Sequence, residues 1–83
     1  MRRSRTATST ISTLIDAVME GYVTWREESM AVHATYREWL GAPLAWRGLA
    51  FDDYCEALDR EERAASEYQR LLADAQTATA AAA

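Results

Sequence analysis

The sequence predicts an all-α protein: an antiparallel two-helix hairpin that pairs with a second hairpin into a four-helix bundle. Three observations point there. Apolar residues recur at helical spacing through two long stretches separated by one short cluster of breakers, Gly41-Ala42-Pro43. With three glycines and one proline among 83 residues, the chain lacks the frequent turn signals of a β sandwich. Its 49% apolar content also sets it apart from a disordered chain.

The first helix is expected over residues 10–40. Its seam is read as Ile11, Ile15, Val18, Tyr22, Trp25, Ser29, Val32, Tyr36 and Trp39, stepping by fours and threes. Thr8-Ser9-Thr10 offer N-caps, and Gly41 with Pro43 supplies the stop. About thirty residues make a rod of roughly 45 Å. Gly21, inside it, costs about 1 kcal/mol against alanine and permits a neighbour to come close.

A connector is expected over 41–51 and a second helix over 52–75. Asp53 and Glu56 resemble a capping box, and with Asp52 they suit the positive end of a helix dipole. Residues 76–83 form a low-complexity Ala/Thr tail, and residues 1–9 are expected to be a disordered basic arm.

Two long helices on a short connector fold back on one another. On a wheel, the apolar arc of the first helix covers about 200°, whereas one neighbour needs little more than 100°. Helix 2 gathers Tyr54, Ala57, Leu58, Ala64, Tyr68, Leu71 and Leu72 on one side, which leaves part of the first arc without a cover. A second copy covers it most simply, because a two-fold dimer needs a single self-complementary patch. Met19, Val23 and Met30 are the candidate dimer interface, since methionine adapts to irregular surfaces. The alternative is that the N-terminal arm or the connector packs over that flank.

Charge argues against a nucleic-acid partner. Residues 1–5 carry three arginines, while the rest of the chain has six arginines against thirteen acids, so a +3 arm precedes a −7 body. Duplex binding requires a basic stripe on the folded body. No apolar run is long enough to cross a membrane, and Met1-Arg2-Arg3-Ser4-Arg5 leads into Thr and Ser rather than a signal core. A cytoplasmic location follows, with export without a cleaved signal as the alternative. Arginine as the sole strong cation suits a high-GC, bacterial genome.

No catalytic set is complete, so a non-enzymatic protein without cofactor or metal is expected. A phosphate loop and a Gly-x-Ser-x-Gly turn are both absent. Cys55 reads as a small apolar residue near a helix start, with a reactive thiol as the alternative. Two polar residues fall on apolar arcs: His33, at the wheel angle of Ile15, and Glu61, between Tyr54 and Tyr68. With the bend centred near residue 46 or 47, facing residue numbers add to about 93, which brings Glu61 within reach of His33. A His33–Glu61 contact, within the hairpin or across the dimer, is expected as a buried polar pair fixing register. The alternatives are that both residues are exposed, or that two copies assemble a ferritin-like metal or acid–base site. Ferritin-like bundles use Glu-x-x-His, and here Met30 stands three residues before His33. Trp46 belongs to neither period. It is expected to fold over the open end near Trp39 and Tyr54, with contact to another protein as the alternative.

Trp46-Arg47-Gly48 between two helices resembles the Trp-x-Gly turn of the small helical-hairpin proteins of type VII secretion. Ala50 and Tyr54 stand where that family tends to have a small residue and an aromatic. The family's tyrosine followed four residues later by an acid is missing, because Leu58 follows Tyr54 and Leu72 follows Tyr68 at that spacing. The resemblance implies a dimeric four-helix bundle, an exported partner protein and no catalysis, with Trp46 and Gly48 at the turn. From the residues themselves, the expectation is a homodimeric interaction or adaptor protein that also meets another protein.

Overall fold

The chain runs as helix, bend, helix. The computed structural model describes residues 2–82, and side chains from residue 8 onward. Helix α1 spans Arg2–Gly41, a single 3-10 turn spans Leu44–Trp46, and helix α2 spans Arg47–Ala82.

Both helices are longer than expected. α1 starts at Arg2 rather than residue 10, so the segment expected as a disordered arm is helical, and the Thr8-Ser9-Thr10 caps are not used. No glycine or proline precedes Gly21, and hydroxyl side chains can be accommodated by bonding back along the helix, as Thr13 does to the Ser9 carbonyl at 2.9 Å. At the other end the Ala/Thr tail carries α2 on to Ala82, as the high helix propensity of alanine favours. Met1 and Ala83 lie outside the described residues.

The bend is tighter than a connector over 41–51. Pro43 has no N–H to donate and disfavours helical backbone at Ala42, so α1 stops there. Pro43 itself is extended (φ −57°, ψ 153°), and its carbonyl accepts the Trp46 N–H at 2.9 Å, which starts the 3-10 turn. Arg47 donates to the Ala42 carbonyl at 3.4 Å across the corner. Gly41 is the last residue of α1, and no glycine among the described residues has positive φ, so proline ends the helix rather than a left-handed glycine cap. Because α2 begins at Arg47, Asp52, Asp53 and Glu56 lie in its second and third turns and cap nothing. Cys55 likewise lies away from the helix start.

The two helices pack antiparallel along one seam. On α1 the inward residues are Ile11, Leu14, Val18, Gly21, Trp25, Glu28, Val32, Thr35 and Trp39; on α2 they are Ala50, Tyr54, Ala57, Glu61, Ala64, Tyr68, Leu71, Ala75 and Ala78. Both series alternate steps of three and four, the seven-residue repeat of left-handed coiled packing. Compared with the expected seam, alternate positions move back by one: Leu14, Gly21, Glu28 and Thr35 face α2, and Ile15, Tyr22, Ser29 and Tyr36 turn to the flank. Alanine recurs along α2, and a Cβ added at Gly21 would lie 2.8 Å from Leu71 Cδ1 and 3.7 Å from Tyr68 Cα. Small residues at these points let the backbones approach closely.

Aromatic rings hold the seam at two places separated by fourteen residues. Trp25 stacks on Tyr68 (5.7 Å, 14°) beside Tyr22, and Trp39 stacks on Tyr54 (5.6 Å, 14°) beside Tyr36 and Phe51. Each ring pair contributes about 0.5–1.5 kcal/mol beyond its buried area. The residue numbers of facing Tyr22–Tyr68 and Trp39–Tyr54 add to 90 and 93, close to the expected register. Among the described residues, Ala57 alone is fully buried.

Candidate interaction face

The hairpin has two unlike faces because each seam is flanked asymmetrically. On one side α1 projects Ile15, Met19, Tyr22, Arg26, Ser29, His33, Tyr36 and Leu40. The same side of α2 carries Phe51, Cys55, Leu58, Glu62, Ala65, Gln69 and Leu72, as seven-residue spacing requires. A shallow groove between the helices confirms the shared side, since it is lined by Ile15 and Met19 from α1 and by Leu72 and Gln76 from α2. Ile15, Met19, Tyr22, Tyr36, Leu40, Phe51 and Leu58 are all exposed there.

The opposite face is polar. It carries Glu20, Thr24, Glu27 and Glu38 from α1, with Asp53, Glu56, Arg60, Arg63, Glu67, Arg70 and Asp74 from α2. Its ion pairs are Arg60–Glu28 at 3.1 Å, Arg70–Asp74 at 3.0 Å and Arg70 with Glu67. The hydrogen bonds from Arg70, more than its charge, hold the exposed Glu67 carboxyl below its ordinary range, and Glu67 raises Arg70 in turn. The exposed pairs of Arg70 contribute little to stability, whereas Arg60–Glu28 is part-buried and joins the two helices at the edge of this otherwise solvated face.

The expected dimer patch is exposed and runs from the apolar face round to the back of α1, with Met19 and Val23 lining one shallow hollow. Met19 (63% exposed) lies on the apolar face, whereas Val23 (52%) and Met30 (65%) lie on the back of α1, pointing away from α2. Neither the connector nor the described part of the N-terminal segment covers them.

Within the hairpin His33 and Glu61 do not meet. Glu61 is half-buried in the seam, but its carboxylate accepts the Trp25 Nε1–H at 2.8 Å, and His33 is exposed on the apolar flank. The facing angle, not the register, separates the two. The helix turns its Leu14–Gly21–Glu28–Thr35 row toward α2, which carries His33 out beside Arg26. Trp25, read from the sequence as core alone, is thus also the donor that satisfies Glu61. Thr35, another polar seam residue, donates to the Ala31 carbonyl at 2.8 Å within its own helix. Among the described residues no three His, Cys, Asp or Glu side chains are grouped so as to hold a metal ion. Cys55 is a free thiol, half-buried.

The bend ends in a second exposed patch. Trp46 is 61% exposed rather than folded over Trp39 and Tyr54, with Leu44 and Leu49 exposed beside it. The short bend causes this: Trp46 closes the 3-10 turn, and Tyr54, stacked, and Phe51, tilted, already pack against the Trp39 ring. Gly48 lies in the first turn of α2, where an added Cβ would meet nothing within 4 Å. No helix among the described residues is long and apolar enough to cross a membrane.

Fold and face together define an all-α helical hairpin with one apolar and one charged side. No protein-family model, curated protein or solved structure matches this chain.

Proposed function

We propose that the chain is a non-enzymatic interaction protein that self-associates through its apolar face into a four-helix bundle and, in that form, binds another protein. One observation carries this reading. Among the described residues Ala57 alone is fully buried and the rest of the seam is half-buried, while seven large apolar side chains stand exposed on a single face. Monomers rarely leave so large an apolar patch in water, and a chain of this size gains little from its own core. The face fits the requirement in size. Two helices about 10 Å wide overlapping over about 54 Å, the length of the 36-residue α2, present roughly 1,100 Å², and a standard interface takes about 800 Å² from each partner.

The role is architectural: the bundle presents the charged faces outward and the Leu44–Trp46–Leu49 patch at its end. Interface cores are enriched in aromatic residues, which suits Trp46 to contact with a further protein. Met19→Glu with Leu58→Glu tests the reading. Both residues lie outside the seam, so the expected result is dissociation measured by light scattering. A variant that keeps the wild-type mass would place association elsewhere.

A second reading rests on Trp46-Arg47-Gly48 at the bend: an exported partner protein like the Trp-x-Gly hairpins of type VII secretion. Detection in culture supernatant supports export, and strict retention in the cytoplasm rejects it.

A further inference from the structure

The apolar face carries few charges, and their placement bears on how two copies would meet. This inference rests on the self-association proposed above. On α1 the face has Arg26 and His33 and no acid; on α2 it has Glu62 and no base. None of the three takes part in an ion pair among the described residues. Facing residues of the hairpin add to between 86 and 93, so Glu62 lies level with residues 24–31, a span that includes Arg26.

Two face-to-face arrangements bury the whole face. With the two-fold axis across the helices, the bends point to opposite ends and each α1 lies on its copy. Full overlap then centres the axis near residue 26, which sets Arg26 against Arg26 and Glu62 close to Glu62. With the two-fold axis along the bundle, the bends share one end and each α1 lies on the other chain's α2. Arg26 then meets Glu62 of the partner subunit, twice. The apolar residues pair as well: Met19 lies level with Leu72, Leu40 with Phe51, and His33 beside Leu58.

Like charges brought together at an interface are costly, and opposite ones fix register and orientation. We infer that the occupant of the apolar face is a second copy of this chain in parallel orientation, α1 on α2, with two symmetric Arg26–Glu62 ion pairs and both Trp46-bearing bends at one end of the bundle. Such a bundle gathers two copies of the exposed Leu44–Trp46–Leu49 patch, whereas the antiparallel arrangement separates them.

The orientation is tested on the full chain carrying Cys55→Ser and Leu44→Cys, spin-labelled at position 44, which is 83% exposed. Dipolar spectroscopy should give a label separation of about 20 Å, the width of a bundle. A separation of about 55 Å, two half-lengths of the hairpin, would overturn the parallel arrangement while leaving self-association intact. A monomer mass at the same concentration would reject both. Charge exchange provides a second readout. Arg26→Glu alone should weaken association by roughly ten-fold, and adding Glu62→Arg should restore it to within about three-fold. In the antiparallel dimer both variants still oppose like charges, so equal affinities for wild type, single and double variants would also reject the parallel form.

Discussion

Removing the Trp25 indole N–H tests how the seam tolerates a carboxylate. Glu61 occupies an inward position, half-buried, and Trp25 Nε1 donates to it at 2.8 Å. A hydrogen bond to a charged group contributes about 1.5–3 kcal/mol when buried. Solvent reaches part of Glu61, so Trp25→Phe is expected to cost about 1–2 kcal/mol at this bond. Phenylalanine retains a ring to stack on Tyr68 but fills less of the seam, so the single variant mixes two effects. A double-mutant cycle separates them. With Glu61→Ala as the second change, the coupling energy should be about 1 kcal/mol or more. Trp25→Phe combined with Glu61→Leu should recover much of the loss, because apolar groups of similar shape replace a polar pair at little cost. Urea unfolding followed by circular dichroism, at one fixed protomer concentration because association adds to stability, is the assay. A coupling under about 0.3 kcal/mol would refute the claim that the indole satisfies Glu61.

Gly21→Ala should change stability by less than about 0.5 kcal/mol, because the gain in helix propensity of about 1 kcal/mol is offset by displacing the mobile end of Leu71. Gly21→Leu would also press on the Tyr68 backbone and should cost about 1–3 kcal/mol; equal melting temperatures for the two variants would contradict the close approach. Trp46→Ala should leave the unfolding midpoint within about 0.5 kcal/mol of wild type, since the ring is exposed and stacks on no other ring among the described residues. Glu67 has a folded value lowered from 4.5, so its contribution to stability is complete above that value and is lost as pH falls through the lower one. Arg70→Met should therefore raise the Glu67 titration midpoint observed by NMR; an unmoved midpoint would remove the hydrogen bond from the account.

The helical hairpin was legible in the sequence because period and breaker agree. Ile11, Val18, Trp25, Val32 and Trp39 repeat every seven residues, and Pro43 can end a helix but not continue one. The seam's other row was not legible from hydrophobicity, which favours Ile15, Tyr22 and Tyr36 over Gly21, Glu28 and Thr35. Close approach decided it: the alanines at 50, 57, 64, 75 and 78 with Gly21 let the helices meet on their small residues, and the bulky ones were displaced to the flank. Small residues at seven-residue spacing were the missed signal. His33 misled for the same reason, since sharing an angle with Ile15 meant sharing the flank. Helix ends were read too short because Thr, Ser and Ala stretches lack apolar period, although nothing in them breaks a helix.

Sedimentation equilibrium of the purified chain at micromolar concentration addresses the central claim most directly. The protomer is 9.3 kDa, and an apolar face covered by a second copy predicts twice that mass, with Met19→Glu/Leu58→Glu returning to the single mass. A wild-type chain that stays at 9.3 kDa while fully helical would contradict it.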